Sequence, residues 1–247
     1  MTGVTDLRWP TVLFDFDGTL GNTIPLILAS YRHTIERFGL APADDATILS
    51  WIGRTLPDMF TELAGAERAP ELMDAYSAWQ ADNVAAHLVA YPGVDELLVD
   101  LAAAGARLGI ATSRRRPSAE ALLAATQGSA KSLRRNDIGR IEPGMRADLA
   151  VLDAPSHEHL PLLVAMEDTP HHKPHAAPLL LAAERIGAEP TDCVYVGDAV
   201  VDLGAAHNAG MAGIGVTWGA GLPDALAAQP SAGVVDTVDQ LRALLLA

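Results

Sequence analysis

Val-Leu-Phe-Asp-Phe-Asp-Gly-Thr, residues 12–19, decides how the rest of the chain is read. Thr11, Val12, Leu13 and Phe14 make a short apolar strand, and Asp15 and Asp17 leave its C-terminal end pointing the same way. Two carboxylates one residue apart repel each other, and the simplest compensation is a bound Mg²⁺. One of the pair could then attack a phosphorus atom while its neighbour moves a proton. The plain alternative is a strand end running into an Asp-Gly turn.

The chain has 247 residues, at the top of the single-domain range or enough for a core with a smaller companion. With 49% apolar residues it can bury a sizeable core. No run approaches the ~20 apolar residues that span a bilayer. The N-terminus lacks the basic start and apolar segment of a signal peptide, so a cytoplasmic location without a membrane partner is expected. A net charge of −14 argues against nucleic acid as a partner. The same field would repel a phosphorylated substrate, so the site must supply positive charge locally, from a metal and a well-placed cation. Only Lys131 and Lys173 stand against fifteen arginines, which makes each lysine conspicuous. The lone cysteine, Cys193, lies in an apolar run and reads as core packing in a reducing compartment.

Ile24, Leu28, Tyr31, Ile35 and Phe38 recur at helical spacing, opened by Thr23 and Pro25 and stopped by Gly39. More helical pattern runs to about residue 88 with no convincing strand, so residues 20–88 read as a helical module inserted after the first strand. From residue 93 helix and strand alternate. Helices are expected over 95–104, 118–125, 176–186, 202–209 and 238–246. Strands are expected over 107–112, 162–166, 193–197 and 212–216, with a short one near 234–235. Such alternation predicts a parallel sheet covered by helices on both faces, with ligands at the strand C-termini. Thr112 and Lys173 are 61 residues apart, where a strand-helix-strand unit needs roughly 30. The excess lies over about 127–161 and reads as a β-hairpin around Pro143-Gly144.

Three more expected strand ends carry polar residues. Thr112 and Ser113 offer hydroxyls that can hold a phosphoryl oxygen, Lys173 follows the next strand, and Asp198 ends another with Asp202 one helical turn later. Singly, each signal is weak: strand-end Thr is common in turns, and strand-end Asp often caps a helix. Together, in this order, the residues resemble the four motifs of the haloacid dehalogenase superfamily: Asp-Phe-Asp-Gly-Thr (15–19), Thr112, Lys173 and Gly-Asp-x-x-x-Asp (197–202). The resemblance implies an α/β fold, a Rossmann-like doubly wound parallel sheet (residues 1–19 and 89–247) with a small helical cap (20–88). Within the superfamily the chain is most similar to phosphoglycolate phosphatase-like and pyrophosphatase-like members, including Tyr-Pro-Gly-Val (91–94) at the return from the cap. It departs from the usual pattern at Asn22 and Ala177, where Asp is frequent.

What the resemblance implies is a phosphatase acting on a small phosphorylated metabolite, phosphoglycolate-like, as a monomer or homodimer. Asp15 would be the nucleophile and form an aspartyl-phosphate; Asp17 would protonate the leaving oxygen and later activate water. Mg²⁺ would be held by Asp15, the main-chain carbonyl of Asp17, and Asp198. Thr112, Ser113 and Lys173 would grip the phosphoryl oxygens, and Asp202 would orient the metal waters or Lys173. In the cap, Arg54 is the candidate for a second anionic or hydroxyl group of the substrate. A sugar-phosphate mutase on the same scaffold is an alternative, as is a protein disabled by the insertion.

Arg114-Arg115-Arg116 reads as the solvated start of a helix. His171, His172 and His175, with His157 and His159, fit no closed four-ligand zinc site. Residues 139–160 resemble the C-terminal strand region of an amidohydrolase, imidazolonepropionase especially, without that family's metal-binding histidine pairs. They read as a graft that could displace Lys173.

Overall fold

In the computed structural model, which describes residues 7–130 and 162–246, the chain starts with β1 (Thr11–Phe14), buried along its whole length. A two-residue strand β2 (Gly21–Asn22) leads into four helices: α1 (Ile24–Arg37), α2 (Asp45–Leu49), α3 (Leu56–Ala64) and α4 (Ala69–His87). Their start signals are local. Pro25 sits in the first turn of α1, and the side chains of Asp44 and Thr55 accept main-chain N–H bonds at the starts of α2 and α3. Gly39, at φ +60°, follows α1 where a side chain would be strained. The four helices bury a core of their own, in which Tyr31 meets Trp51, Phe60 and Tyr76 at ring-centroid distances of 5.1, 5.4 and 4.9 Å.

The chain returns through β3 (Val89–Ala90), antiparallel to β2. The sequence reading expected no strand within residues 20–88. A two-residue ladder is too short to leave a period-2 signal, which is why β2 escapes it. Then follow α5 (Val94–Ala103), β4 (Arg107–Ala111), α6 (Arg116–Ala130), β5 (Leu162–Val164), α7 (Ala177–Ile186), β6 (Cys193–Gly197), α8 (Val200–Asn208), β7 (Ala212–Val216), α9 (Pro223–Ala227), β8 (Gly233–Val235) and α10 (Val238–Leu245). Helix α9 was not anticipated, and α6 extends beyond the expected 118–125. Strand β5 stops short of residue 166 because a single 3₁₀ turn, Met166–Asp168, follows it, with the Asp168 carboxylate accepting the Ala165 N–H. The hairpin expected around Pro143-Gly144, and most of the 127–161 segment, lie outside the described residues.

The six longer strands form one parallel sheet in the order β5-β4-β1-β6-β7-β8. Strand alternation divides the interior in two: Val12, Phe14, Val194 and Val196 face one core, and Leu13, Cys193 and Tyr195 the other. Helices α5, α6 and α10 cover the first face, and α7 and α8 the second, so the sheet is doubly wound. The chain runs outward from β1 through β4 to β5, then comes back to the opposite side of β1 with β6. At such a switch point the connections leave in opposite directions and open a crevice over the strand C-termini. No helix among the described residues is long and apolar enough to cross a membrane.

Candidate active site

Register alone brings the strand ends together. Phe14 lies opposite Ile110 on β4 and Val196 on β6, so Asp15, Thr112 and Asp198 all emerge within two residues of one line across the sheet. The Asp15 N–H donates to the Val196 carbonyl at 2.8 Å, continuing the ladder to the carboxylate.

Lys173 comes from the loop between the 3₁₀ turn and α7. That loop is fixed by a His175 N–H bond to the His172 carbonyl and by the Asn208 side chain donating to the Pro174 carbonyl. Its ammonium is buried and donates to Asp15 Oδ1 at 2.9 Å, Asp202 Oδ1 at 2.6 Å and the Tyr195 hydroxyl at 2.9 Å. All three donor positions of the ammonium are thereby used. Tyr195 passes the chain on, its hydroxyl donating to the Ala111 carbonyl at 2.7 Å.

Asp15, Asp198 and Asp202 each turn a carboxylate oxygen into one buried space, these atoms lying within 4.8 Å of one another. Asp202 is fully committed: Oδ1 takes the Lys173 bond and Oδ2 accepts the Ala199 N–H at 2.9 Å. Asp198 is not. Its Oδ2 accepts the Ala220 N–H at 2.6 Å, while Oδ1 is buried and has no hydrogen-bond partner among the described residues. Glycines make room for that carboxylate: a Cβ on Gly18 or Gly219 would come within 2.1 Å of Asp198 Oδ2. Gly18 also holds φ +75°, a second reason for glycine there.

Three carboxylates and one ammonium leave an excess of negative charge. Burial pushes the Asp15 carboxyl up to about 7, with Asp202 and Asp17 adding to the rise and Lys173 opposing it. Burial likewise holds Asp198 well above the usual carboxylate range, reinforced by Asp202 and Asp15. Burial works against the Lys173 charge, but Asp15 and Asp202 keep it protonated well above the ordinary lysine value.

Asp17 faces elsewhere. Arg114 Nε lies 2.8 and 2.7 Å from its two carboxylate oxygens, a terminal guanidinium nitrogen adds a contact at 2.6 Å, and the Thr23 hydroxyl donates at 2.5 Å. Arg114 is itself held by Gln80 Oε1 at 2.6 Å and Ser118 Oγ at 3.0 Å. So the carboxylate of Asp17 does not join the acidic cluster, and Asp202 takes the third place in it. Arg114 is also not the solvated helix start read from the sequence: its side chain is only 10% exposed, because Asp17 on one side and α4 on the other enclose it.

A cavity partly open to solvent lies between these strand ends and the helical unit, with Asp15 and Asp17 in its wall. The sequence pattern that defines the haloacid dehalogenase-like hydrolases matches residues 12–130 and 147–216. The chain belongs to that family. The pyrophosphatase PpaX of Bacillus velezensis is 31% identical over 215 residues, 87% of this chain and 86% of that protein. A Bacteroides fragilis protein assigned to the haloacid dehalogenase-like hydrolases has 28% identity and a TM-score of 0.75, over 95% of this chain and 100% of its own. CbbY from Rhodobacter sphaeroides, solved in complex with phosphate, shares the fold at 20% identity and a TM-score of 0.72, over 96% of this chain and 99% of its own.

In this haloacid dehalogenase-like hydrolase, Thr112 is buried at the end of β4, its Oγ1 accepting the Arg114 N–H at 3.2 Å and keeping its own proton to donate. Ser113 lines the cavity, but its hydroxyl donates to the Gly53 carbonyl of the helical unit at 3.0 Å. Arg54 reaches the cavity edge, where Glu62 pairs with it at 2.8 Å. Lys173 touches Asp15 even though the long segment 112–173 precedes it. Tyr195, Gln80 and Arg114 were missed by the sequence reading. The one signal for Tyr195 was a hydroxyl-bearing ring in an otherwise aliphatic strand.

Proposed function

We propose that the chain is a Mg²⁺-dependent phosphatase that hydrolyses a small phosphomonoester through an aspartyl-phosphate on Asp15. The observation that carries this reading is the pairing of Lys173 with Asp15 at 2.9 Å beside the buried Oδ1 of Asp198, which has no partner among the described residues. A buried carboxylate oxygen with no donor is costly, and clustered carboxylate oxygens suit a hard divalent cation. Asp15 and Asp198 would hold the ion with their carboxylates and Asp17 with its main-chain carbonyl. When bound, Mg²⁺ would neutralise the excess charge and let an anionic phosphate approach an anionic carboxylate.

The protein groups do the rest. The Asp15 oxygen not bonded to Lys173 attacks phosphorus, forming an oxygen–phosphorus bond as the bond to the leaving oxygen breaks. Lys173 and the Thr112 hydroxyl stabilise charge on the equatorial phosphoryl oxygens. Asp17 gives a proton to the leaving oxygen, then takes one from the water that hydrolyses the aspartyl-phosphate and restores Asp15. Asp202 keeps Lys173 aimed. The pyrophosphatase name of the Bacillus velezensis relative supports phosphoryl transfer to water as the reaction class.

The test is Asp15→Asn. Its kcat on p-nitrophenyl phosphate with Mg²⁺ should fall by about a thousandfold or more, with no acid-stable phosphoryl label, while the circular dichroism spectrum is unchanged. Retained activity in a folded variant would remove Asp15 as the nucleophile.

A further inference from the structure

The cavity over Asp15 has two chemically different halves. The strand ends supply polar groups, whereas the helical unit supplies Ile27, Tyr31, Trp51, Ile52, Leu56 and Tyr76. This roof has a fixed shape, because Tyr31, Trp51 and Tyr76 are buried and packed ring to ring within the helical core. The arginines bordering the cavity are each paired with a carboxylate: Arg54 with Glu62 at 2.8 Å, Arg114 with Asp17 at 2.6 Å and Arg115 with Glu167 at 3.5 Å. An anionic leaving group would have to lie against aromatic rings and compete with those carboxylates, in a molecule of net charge −14. An apolar leaving group gains simply by leaving water.

We propose that the preferred substrate is a phosphomonoester whose leaving alcohol carries an apolar, ring-sized group seated against Tyr31, Trp51 and Ile52. This rests on the phosphatase reading above and narrows it, replacing the phosphoglycolate-like leaving group that the resemblance implied.

The test compares kcat/KM of the full chain with Mg²⁺ on ethyl phosphate, 2-phenylethyl phosphate, phosphoglycolate and inorganic pyrophosphate. The first two expel alkoxides of similar basicity, so their difference reports the roof rather than the chemistry. The phenylethyl ester should be favoured roughly tenfold or more over each of the others. Trp51→Ala removes a buried ring and can unfold the helical unit, so Leu56→Ser, at a half-buried position of the roof, is the deciding variant. It should cut the phenylethyl-to-ethyl ratio by about threefold or more. An unchanged ratio in that variant, or wild-type preference for ethyl phosphate, phosphoglycolate or pyrophosphate, overturns the inference while the phosphatase reading stands. No hydrolysis of any of the four esters and anhydrides overturns both.

Discussion

At Asp17 both carboxylate oxygens accept from one guanidinium, and that guanidinium is held in turn by Gln80 and Ser118. The direction in which the proposed acid points is therefore set by several side chains. To hand a proton to a leaving oxygen, Asp17 has to give up part of its contact with Arg114. Arg114→Ala should lower kcat on an alkyl phosphate by about a hundredfold, but by much less on p-nitrophenyl phosphate, whose leaving group needs little protonation. Equal losses on both esters would mean that Arg114 serves folding or binding instead. Gly18→Ala tests the other side of the site. Its methyl would collide with Asp198 Oδ2, so the Mg²⁺ concentration for half-maximal activity should rise about tenfold or more. Asp15 and Asp198 were legible because each closes an apolar run, Asp202 because it follows Asp198 by one helical turn, and Lys173 because it is one of only two lysines. Arg114 was not, since a charge run opening a helix is normally solvated; its burial depends on Asp17, 97 residues away.

Between elements, hydrogen bonds from the residues just after β4 reach the helical unit: Ser113 to the Gly53 carbonyl at 3.0 Å and Arg114 to Gln80 at 2.6 Å. Both start from the few residues after β4, so the strand that offers Thr112 to the phosphoryl group also anchors the roof above it. A single such bond is worth ~1 kcal/mol, and Ser113→Ala should raise KM by about two- to fivefold, more than it lowers kcat. A steady-state comparison that shows only a kcat effect would detach this bond from substrate binding. The helices around the sheet were readable from their apolar periodicity, and its strands as short apolar runs between turn signals. The β2–β3 pair and α9, with two, two and five residues, are too short for a repeat to show. Ser113 was chosen as a phosphate ligand for its hydroxyl, but its bond to Gly53 depends on how the two units meet, which no local pattern encodes.

For the whole molecule, the buried acidic cluster links stability to pH and metal. The Asp15 carboxyl rises from 3.8 to about 7, so between those values the unfolded chain is ionised there while the folded chain still holds its proton. Without metal, this group should make the protein less stable as pH rises from about 4 to about 7, with no further change above. Mg²⁺ needs the ionised carboxylates, so the rise in melting temperature on adding it should grow over the same interval. Thermal denaturation from pH 5 to 8, with EDTA or with Mg²⁺, measures both trends. A Mg²⁺ effect that is flat with pH would separate the metal from Asp15.

The β2–β3 ribbon carries both passages of the chain between sheet and helices, side by side. Swapping in the helical portion of a relative would thus require only two splice points, already adjacent. A chimera made this way should inherit its donor's taste in alcohols while keeping the recipient's machinery for breaking the ester.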